Sequence, residues 1–544
     1  PIIHEHGGHV DKFVGDGLLA VFGAPRRQPD HADQALAAAL AIAGVAAASQ
    51  LSATHFEINR LLGDLWVETD AIWRSHLGQR PNEDFVTPVG PLFYGVYRLL
   101  SLLEAPSLHL MVHANLLVGA AAALLAFFVA RRAASTEAVV LLMLAAFLAA
   151  ASGRAIGTPL TAQSVEYIVP YNRWSWAIAI PCVFGLLVRH RGVAMVPFAL
   201  VGLGLAALFF LKLSYFVALA GLAAGAFLLD ALECEARPAL APRAAALAGS
   251  LALFLALGAA VWSIGAYLAD VRMVAAANYV SFRLVKFAMQ LPEAALMFGL
   301  ALLVHHLASG FGRLHRLDAA RLLLVVGSGA AIMSQNHEAN EAPLYLAGLI
   351  LAYVLGRSRA GEAAAAGERA AGASFWLTFL LLLVPASADA GTAAMARLRA
   401  AAKPLPPIAA FAGTPLADLR SVDREEIGRV IDGLALLRRA GHSGETVLPF
   451  TMGNPFPALT GTRSPLGAQA IWYYGRTFSE RHRPPAERAL GDADFLLIAR
   501  DDLTSQWMWR VYEPAIRAQY RPVGESRHWV AWRRAEQAAE RARG

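Results

Sequence analysis

The sequence predicts a polytopic α-helical membrane protein of about ten spans, with a C-terminal extracytoplasmic α/β domain and an N-terminal α+β fragment. Hydrophobic residue types make up 57% of the 544 residues and charged types 16%, whereas a soluble domain carries roughly 25% charged residues. The apolar residues also gather in blocks of roughly 16 to 25, the length of helix that crosses a hydrocarbon core. Both ends of the chain, by contrast, have the mixed composition of soluble domains.

Composition divides the chain into four regions. Residues 1–50 form the soluble N-terminal fragment, and 52–106 form a long loop rich in Trp, Pro and Gly. Residues 107–390 carry the apolar blocks, and 391–544 form the C-terminal domain. The candidate spans are 107–130, 136–152, 173–188, 193–211, 213–230, 244–269, 290–308, 321–334, 342–356 and 374–390.

Basic residues divide the short connecting loops into two alternating sets. One set holds twelve arginines, which are Arg131, Arg132, Arg189, Arg191, Arg237, Arg243, Arg313, Arg316, Arg321, Arg357, Arg359 and Arg369. The other set holds six basic residues, which are Arg154, Arg173, Lys212, Arg272, Arg283 and Lys286. Because cytoplasmic loops are enriched in Lys and Arg, the first set is predicted to be cytoplasmic. The loop 52–106 and the C-terminal domain then lie outside, on the periplasmic face of a bacterial inner membrane.

The formal net charge of +6 is interpreted loop by loop and not as a nucleic-acid signal. The expected partner is therefore the lipid bilayer. The cysteines are Cys182, inside an apolar block, and Cys234, in a predicted cytoplasmic loop. Neither a disulfide between them nor a cysteine metal cluster is expected.

The C-terminal domain carries alternating strand and helix patterns. Strands are predicted at Thr446–Phe450, Phe495–Ala499 and His528–Trp532, and a helix at Glu425–Ala440. The segment Asn454-Pro455-Phe456-Pro457 is predicted to be a turn or an extended stretch.

The N-terminal fragment contains a hairpin signature. Val10–Val14 and Leu18–Phe22 have strand patterns, and Gly15-Asp16-Gly17 forms the turn between them. Asp16 at the tip has a carboxylate that is suited to a hard cation. A helix follows at Asp30–Ser49; its Ala-rich part, Ala35–Leu51, is also long enough to be a short span, and both interpretations stay open.

This fragment resembles the class III nucleotidyl cyclases. The matching residues are His6, Gly7, Gly8, Val10, Lys12, Gly15, Asp16, Ala20, Phe22, Gly23 and Asp30-His31-Ala32. The resemblance implies that Asp16 is one of two metal-binding aspartates, for Mg or Mn, and that Lys12 recognises the base. The family's other metal aspartate and its transition-state residues have no counterpart here. Cyclase activity would therefore require residues from elsewhere, such as a second cyclase chain.

The loop ahead of the first confident span concentrates acidic and aromatic residues. Asp70, Glu83 and Asp84 lie among aromatic side chains that suit an interfacial belt, namely Trp66, Trp73, Phe85, Phe93, Tyr94 and Tyr97. Acidic groups at a bilayer interface are costly to desolvate, so they tend to be paired, metal-bound or functional.

This layout resembles the multi-pass C-type glycosyltransferases, which use lipid-phosphate sugars. The segment that carries the resemblance is Glu83-Asp84 followed by Thr87-Pro88-Val89-Gly90-Pro91-Leu92, with the spans and the outer domain after it. It departs from that superfamily in lacking a clear span before the loop.

The resemblance implies a sugar transfer from a polyprenyl-phosphate donor. Asp84 or Glu83 would be the general base for the acceptor hydroxyl. Cations such as Lys212 and Arg173, or Arg283 and Lys286, would stabilise the departing phosphate. A divalent metal with oxygen ligands, Mg or Mn, is compatible with the same site.

Several alternatives remain open at the level of sequence. Glu83 and Asp84 equally suit a solvated loop with an acidic cap, and Lys212 equally suits a side chain that extends to the interface. His337, Glu338 and Glu341 are candidates for metal or substrate binding, or for a short solvated turn. Besides a glycosyltransferase-like protein and a cyclase-family signalling protein, a transporter or a membrane scaffold is a third hypothesis.

Overall fold

The structure is a computed structural model of the chain. It describes residues 2–14, 17–21, 51–58, 62–134, 136–151, 154–156, 164–166, 170–188, 192–233, 237–278, 316–335 and 402–535, with scattered positions in 34–48, at 190 and in 285–299.

The N-terminal fragment contains the predicted hairpin. A short helix α1 (Ile2–Glu5) precedes strands β1 (His9–Val14) and β2 (Gly17–Val21), which pair antiparallel. Lys12 lies in β1 opposite Leu19. The described positions in 34–48 are helical, as the pattern of Asp30–Ser49 predicted.

The segment 52–106, which was predicted to be a loop, is instead partly helical. It contains strand β3 (Phe56–Glu57), helix α2 (Leu62–His76) and helix α3 (Pro91–Leu100). In α2 the apolar side chains recur three or four residues apart, and this spacing buries one face of a helix. In α3 Pro91 occupies the first turn, where a missing N–H has no cost.

The aromatic residues of this segment are mostly inside the protein, so the predicted interfacial belt is wrong for five of the six. These five are at most 3% exposed, and they are Trp66, Phe85, Phe93, Tyr94 and Tyr97. They are buried because α2 and α3 lie between the C-terminal domain and the apolar helices, as the contacts below show.

The central region is a set of apolar helices. They are α4 (His109–Ala130), α5 (Thr136–Ala151), α6 (Pro170–Leu187), α7 (Met195–Leu211), α8 (Leu213–Leu232), α9 (Arg237–Val261), α10 (Ile264–Ala277) and α11 (Arg316–Gln335), with the short strand pair β4 (Arg154–Ile156) and β5 (Ser164–Glu166) between α5 and α6. Three of them, α4, α8 and α9, are long and apolar enough to cross a membrane. The chain is therefore a polytopic helical membrane protein.

Six of the predicted spans each coincide with one of these helices. The span predicted at 244–269 is divided between α9 and α10, because the Ser263 side chain accepts a hydrogen bond from the Ala266 N–H at 3.4 Å and starts a new helix. The predicted spans at 290–308, 342–356 and 374–390 fall almost entirely outside the described residues.

The C-terminal domain is α/β. Its elements are β6 (Leu419–Arg420), α12 (Arg424–Arg439), β7 (Val447–Pro449), α13 (Phe456–Thr460), α14 (Ala486–Leu490), β8 (Phe495–Ala499), α15 (Leu503–Gln519), β9 (Tyr520–Glu525) and β10 (Trp529–Arg534). The sheet has the order β7-β8-β10-β9, with β7 parallel to β8 and the other pairs antiparallel. The predicted strands and the predicted helix at 425–440 are confirmed. The predicted turn at 454–457 instead leads into α13, whose first turn accepts proline.

Where the structure describes them, the loops of the two sets lie at opposite ends of the helices. At one end Gly90 N–H donates to Leu211 O at 3.0 Å, and His109 lies 3.4 Å from Asp418 of the C-terminal domain. At the other end Arg321 pairs with Asp230 and Glu233 at 2.6 and 2.8 Å. The division of these loops by their basic residues therefore agrees with the helix packing.

Candidate functional site

The first turn of α2 carries Asp64, a partly buried carboxyl group. Burial raises the pKa of Asp64 to about 6 from an ordinary value of 3.8, although the nearby Arg476 guanidinium acts in the opposite direction. No described residue donates a hydrogen bond to this carboxylate. A carboxyl group with a pKa near 6 is suited to general base chemistry at neutral pH.

Arg476 reaches this place from the C-terminal domain. Its guanidinium carbon lies 4.7 Å from the centre of the Tyr473 ring. Burial lowers the pKa of Arg476, and the nearby Tyr171 and Asp64 raise it in part. Arg476 is therefore close enough to interact electrostatically with α2 on one side and with the start of α6 on the other.

Lys212 lies at the break between α7 and α8. Its ammonium group is 5.3 Å from the ring centres of both Tyr171 and Tyr215, and it donates to the side chain of Asn172. Tyr171 is thus near Lys212 and is also close enough to Arg476 to affect it. Tyr171 therefore lies between the surroundings of the predicted substrate-binding residue Lys212 and those of Arg476.

A cluster of aromatic rings packs around Tyr171, near this region. The Phe93 ring lies 5.7 Å from Tyr171 and 5.6 Å from Trp174, and Tyr97 lies 5.9 Å from Trp174. The Tyr97 hydroxyl donates to the carboxylate of Glu68, which is one helical turn after Asp64. Burial, reinforced by Glu68, raises the pKa of Tyr97 well above its ordinary value. The rings of Phe93, Tyr97 and Trp174 are buried, and electrostatic interactions are stronger in such low-dielectric surroundings.

The arginine predicted to bind substrate, Arg173, has a structural contact here. Its guanidinium donates to the carbonyl oxygen of Ala150 at 3.0 Å, near the C-terminal end of α5. A cation at a helix C-terminus interacts favourably with the helix dipole.

The two acids predicted as the general base lie on the turn between α2 and α3. The Asp84 carboxylate accepts from the Arg80 N–H at 2.7 Å and so closes the turn. Glu83 is exposed and pairs with Arg80 at 2.7 Å. The Asp84 carbonyl also accepts from Gly467 N–H at 2.6 Å, so the C-terminal domain holds this turn. The catalytic role of these acids stays a prediction.

The predicted metal ligands Asp16 and Glu338, with the neighbouring His337 and Glu341, lie outside the described residues. Among the residues that are described, no three His, Cys, Asp or Glu side chains converge in a way that could hold a metal ion. The donor set present therefore gives no metal position to which a catalytic step can be assigned, and the predicted Mg or Mn stays a prediction.

A buried clamp fixes α2 to the C-terminal domain. Asp70 pairs with Arg74 at 2.7 Å, and both side chains are 1% exposed. Ser464 donates to Asp70 at 2.5 Å, and Arg74 donates to the carbonyl of Pro465 at 3.1 Å. The Arg74 guanidinium also lies 4.6 Å from the centre of the Phe85 ring.

A second polar contact fixes the turn after α2. Asp270 on α10 accepts from the Asn82 amide at 2.9 Å and from the Thr87 N–H at 3.2 Å, and Arg488 lies 3.5 Å away. Burial raises the pKa of Asp270, and these contacts lower it in part. The acidic residue Asp270 was not singled out from the sequence, because it has no motif around it.

Sequence reasoning also missed Asp64, Arg476 and Tyr171. Asp64 had a usable signal, since it begins a stretch with helical apolar spacing directly before the acidic loop. Arg476 and Tyr171 have no signal in the sequence, because only the fold brings positions 171 and 476 near position 64.

No protein-family model matches the sequence, and a search of curated proteins gives no match. Among solved structures, a similar chain is ArnT from Cupriavidus metallidurans, in a crystal structure bound to undecaprenyl phosphate. The two chains share 12% sequence identity with a TM-score of 0.42, and the alignment covers 91% of this chain and 97% of that chain. Similarity at this level does not establish a common fold.

Proposed function

We propose that the chain is a membrane-bound sugar transferase of the C-type glycosyltransferase kind, which uses a polyprenyl-phosphate sugar and has Asp64 as its general base. One observation carries the proposal. A carboxyl group on α2, whose pKa burial raises to about 6, lies near enough to Arg476 of the C-terminal domain for the two charges to interact. The class of donor is taken from the resemblance in the acidic loop.

The reaction needs a base on one side of the sugar. The acceptor hydroxyl oxygen forms a bond to the anomeric carbon, and its proton passes to the Asp64 carboxylate. The bond between that carbon and the phosphate oxygen breaks, and the polyprenyl phosphate leaves with the electron pair. With a pKa of about 6, Asp64 is about nine-tenths ionised at pH 7, and it still accepts a proton readily.

The departing phosphate needs a cation near its developing negative charge. Lys212 meets this need, because its ammonium group lies at the break between two apolar helices, where a phosphate at the end of a polyprenyl chain would meet the protein. Fixed donors act strongly in a site from which water is excluded. Tyr171 and Asn172 hold the lysine from the start of α6.

Asp64 suits the role of base better than Asp84 or Glu83. The Asp84 carboxylate already accepts the Arg80 N–H, and Glu83 is exposed and paired. Asp64 receives no hydrogen bond from a described residue and lies near one cation, Arg476.

The test is sugar transfer in proteoliposomes or membranes, with a panel of labelled polyprenyl-phosphate sugars. Loss of general base catalysis typically costs 10²- to 10⁴-fold, so we expect Asp64→Asn to lower the rate by roughly 100-fold or more. Arg510→Gln, at an exposed arginine of the C-terminal domain, is the control. Transfer that survives in Asp64→Asn and is abolished in Asp84→Asn would reassign the base to Asp84. No transfer from any donor in the panel would refute the function itself.

A further inference from the structure

Three leucines at the end of α3 have largely exposed side chains. Leu99, Leu102 and Leu103 are 54, 69 and 81% exposed, and together they are called the leucine turn. Single exposed leucines are common on protein surfaces, whereas exposed apolar residues that adjoin one another mark a surface that contacts another molecule or a membrane. The leucine turn is such a surface, and it lies directly before the first long apolar helix, α4.

The backbone of the leucine turn is fixed by hydrogen bonds. The Leu102 N–H donates to the Leu99 carbonyl at 3.2 Å, and the Leu103 N–H donates to the Leu100 carbonyl at 2.8 Å. The chain thus continues the helical winding of α3, in which residues three and four positions apart lie on the same side. Tyr97 and Leu100 lie on the other side, where they are 0 and 9% exposed. The end of α3 therefore has one side inside the protein and one apolar side outside it.

A contact with α4 sets the level of the leucine turn along that helix. The Glu104 carboxylate oxygen lies 2.6 Å from Nδ1 of His113, on the second turn of α4. Three exposed apolar residues follow within about 60° of His113 around the helix, at 3.6 residues per turn. They are Leu117, Leu124 and Phe128. Because α4 is long and apolar enough to cross a membrane, this exposed stripe is its lipid-facing side, and the leucine turn lies at the beginning of the stripe.

The charged residues that flank the leucine turn have partners within the protein. The Arg98 guanidinium donates to the Ser75 and His76 carbonyls at 3.1 and 2.9 Å. Glu104 is held by His113, as described above. Charged side chains at a membrane are tolerated where they pair with one another or with backbone carbonyls. The flanking charges are therefore compatible with a position of the leucine turn next to lipid.

We propose that the leucine turn inserts among the lipids of the bilayer leaflet on the side of the C-terminal domain. It thereby anchors the end of α3 to the membrane, outside the spanning helices. The occupant is lipid and not a protein partner, because the leucine turn is continuous with the stripe of α4 that faces lipid. The other side of α3 carries Tyr97, so the anchor also fixes the level of the aromatic cluster relative to the membrane. This inference does not depend on sugar transfer.

The experiment places a spin label on the leucine turn of the full-length protein in liposomes. Leu103→Cys supplies the labelling site, Cys234→Ser removes one native thiol, and Cys182 is buried. Power saturation compares collisions of the label with oxygen, which concentrates in hydrocarbon, and with a water-soluble nickel chelate. The matched control for water is Leu503→Cys, at a leucine of the C-terminal domain that is 67% exposed. The control for lipid is Leu124→Cys, at 56% exposure on α4.

We expect collisions with oxygen to exceed those with the nickel chelate at positions 103 and 124, and the reverse at position 503. Position 124 lies roughly 16 Å farther along α4 than His113, at about 1.5 Å per residue, so its label should report the greater depth. A label at 103 that meets the nickel chelate as readily as the label at 503 would show that the leucine turn is in water and would overturn the inference. Few collisions with either reagent at 103 would show that protein, such as a second copy of the chain, covers the leucine turn, and would overturn it as well.

Discussion

Breaking the clamp between Asp70 and Arg74 is expected to cause a large loss of folding stability. Arg74→Met removes the cation and keeps an apolar side chain of similar length. It leaves the Asp70 carboxylate, which is 1% exposed, without its partner at 2.7 Å. The carbonyl of Pro465 and the amide oxygen of Gln79 lose their donors as well. Ser464 continues to donate to Asp70 but cannot neutralise its charge.

The expected loss follows from the burial of the pair. Breaking a buried ion pair by removing one partner costs about 3–5 kcal/mol. For a cooperative unit of about 150–250 residues, each kcal/mol shifts the melting temperature by about 2–4 °C, so Arg74→Met should unfold roughly 6–20 °C lower. The relevant unit here is the C-terminal domain with α2 and α3, because the clamp joins them.

The assay is thermal unfolding of the purified protein in detergent, with limited proteolysis of the C-terminal domain as a second readout. Arg80→Gln is the control, since Arg80 pairs with Glu83 and is 65% exposed. An exposed pair of this kind contributes at most about 1 kcal/mol. Equal shifts in the two variants would refute the argument, because they would show that burial of the clamp has no energetic consequence. The double variant Arg74→Met with Asp70→Leu should be less damaging than the sum of the two single changes.

Two further predictions concern the site. Asp64 holds its proton more tightly in the folded protein than in the unfolded chain, because its pKa of about 6 exceeds the ordinary value of 3.8. The free energy of unfolding should therefore fall as the pH rises from about 4 to about 6. Asp64→Asn should melt above the wild type at pH 8, and the difference should vanish below about pH 4; a variant that is less stable at pH 8 would contradict this. Gly90→Ala should impair both folding and transfer, because the added Cβ would lie 2.1 Å from the Phe210 carbonyl oxygen. Gly249→Ala, where nothing lies within 4 Å, should leave both unchanged, and similar behaviour of the two variants would argue against the close approach of α3 to α7.

Local sequence patterns were sufficient to predict much of the fold. Apolar blocks located the described helices of the central region, and a short apolar run located β8 at Phe495–Ala499 with its bounds unchanged. The segment Leu62–His76 was mistaken for a loop because its neighbours are rich in Pro and Gly, although its own apolar spacing is helical. The aromatic residues of this segment were interpreted as a membrane-interface belt. Large apolar rings fit a protein core equally well, so the residue type alone does not separate the two environments.

The candidate site was harder to predict from sequence. Lys212 was singled out because a lysine between two apolar blocks is unusual, and the structure places it beside Tyr171 and Asn172. Asp84 attracted attention through its motif, whereas Asp64 became a candidate only through its burial and its neighbour Arg476. The electrostatic interaction between Asp64 and Arg476 joins positions more than 400 residues apart in the chain, and no local pattern records it.

The most direct test of the account is the pH dependence of sugar transfer by the wild-type protein. The account predicts an acid limb with an apparent pKa of about 6, which belongs to Asp64 and is absent from the residual activity of Asp64→Asn. An acid limb near 4, the range of an ordinary carboxyl group, or a limb near 6 that persists in Asp64→Asn, would show that another group is the base and would contradict the central claim.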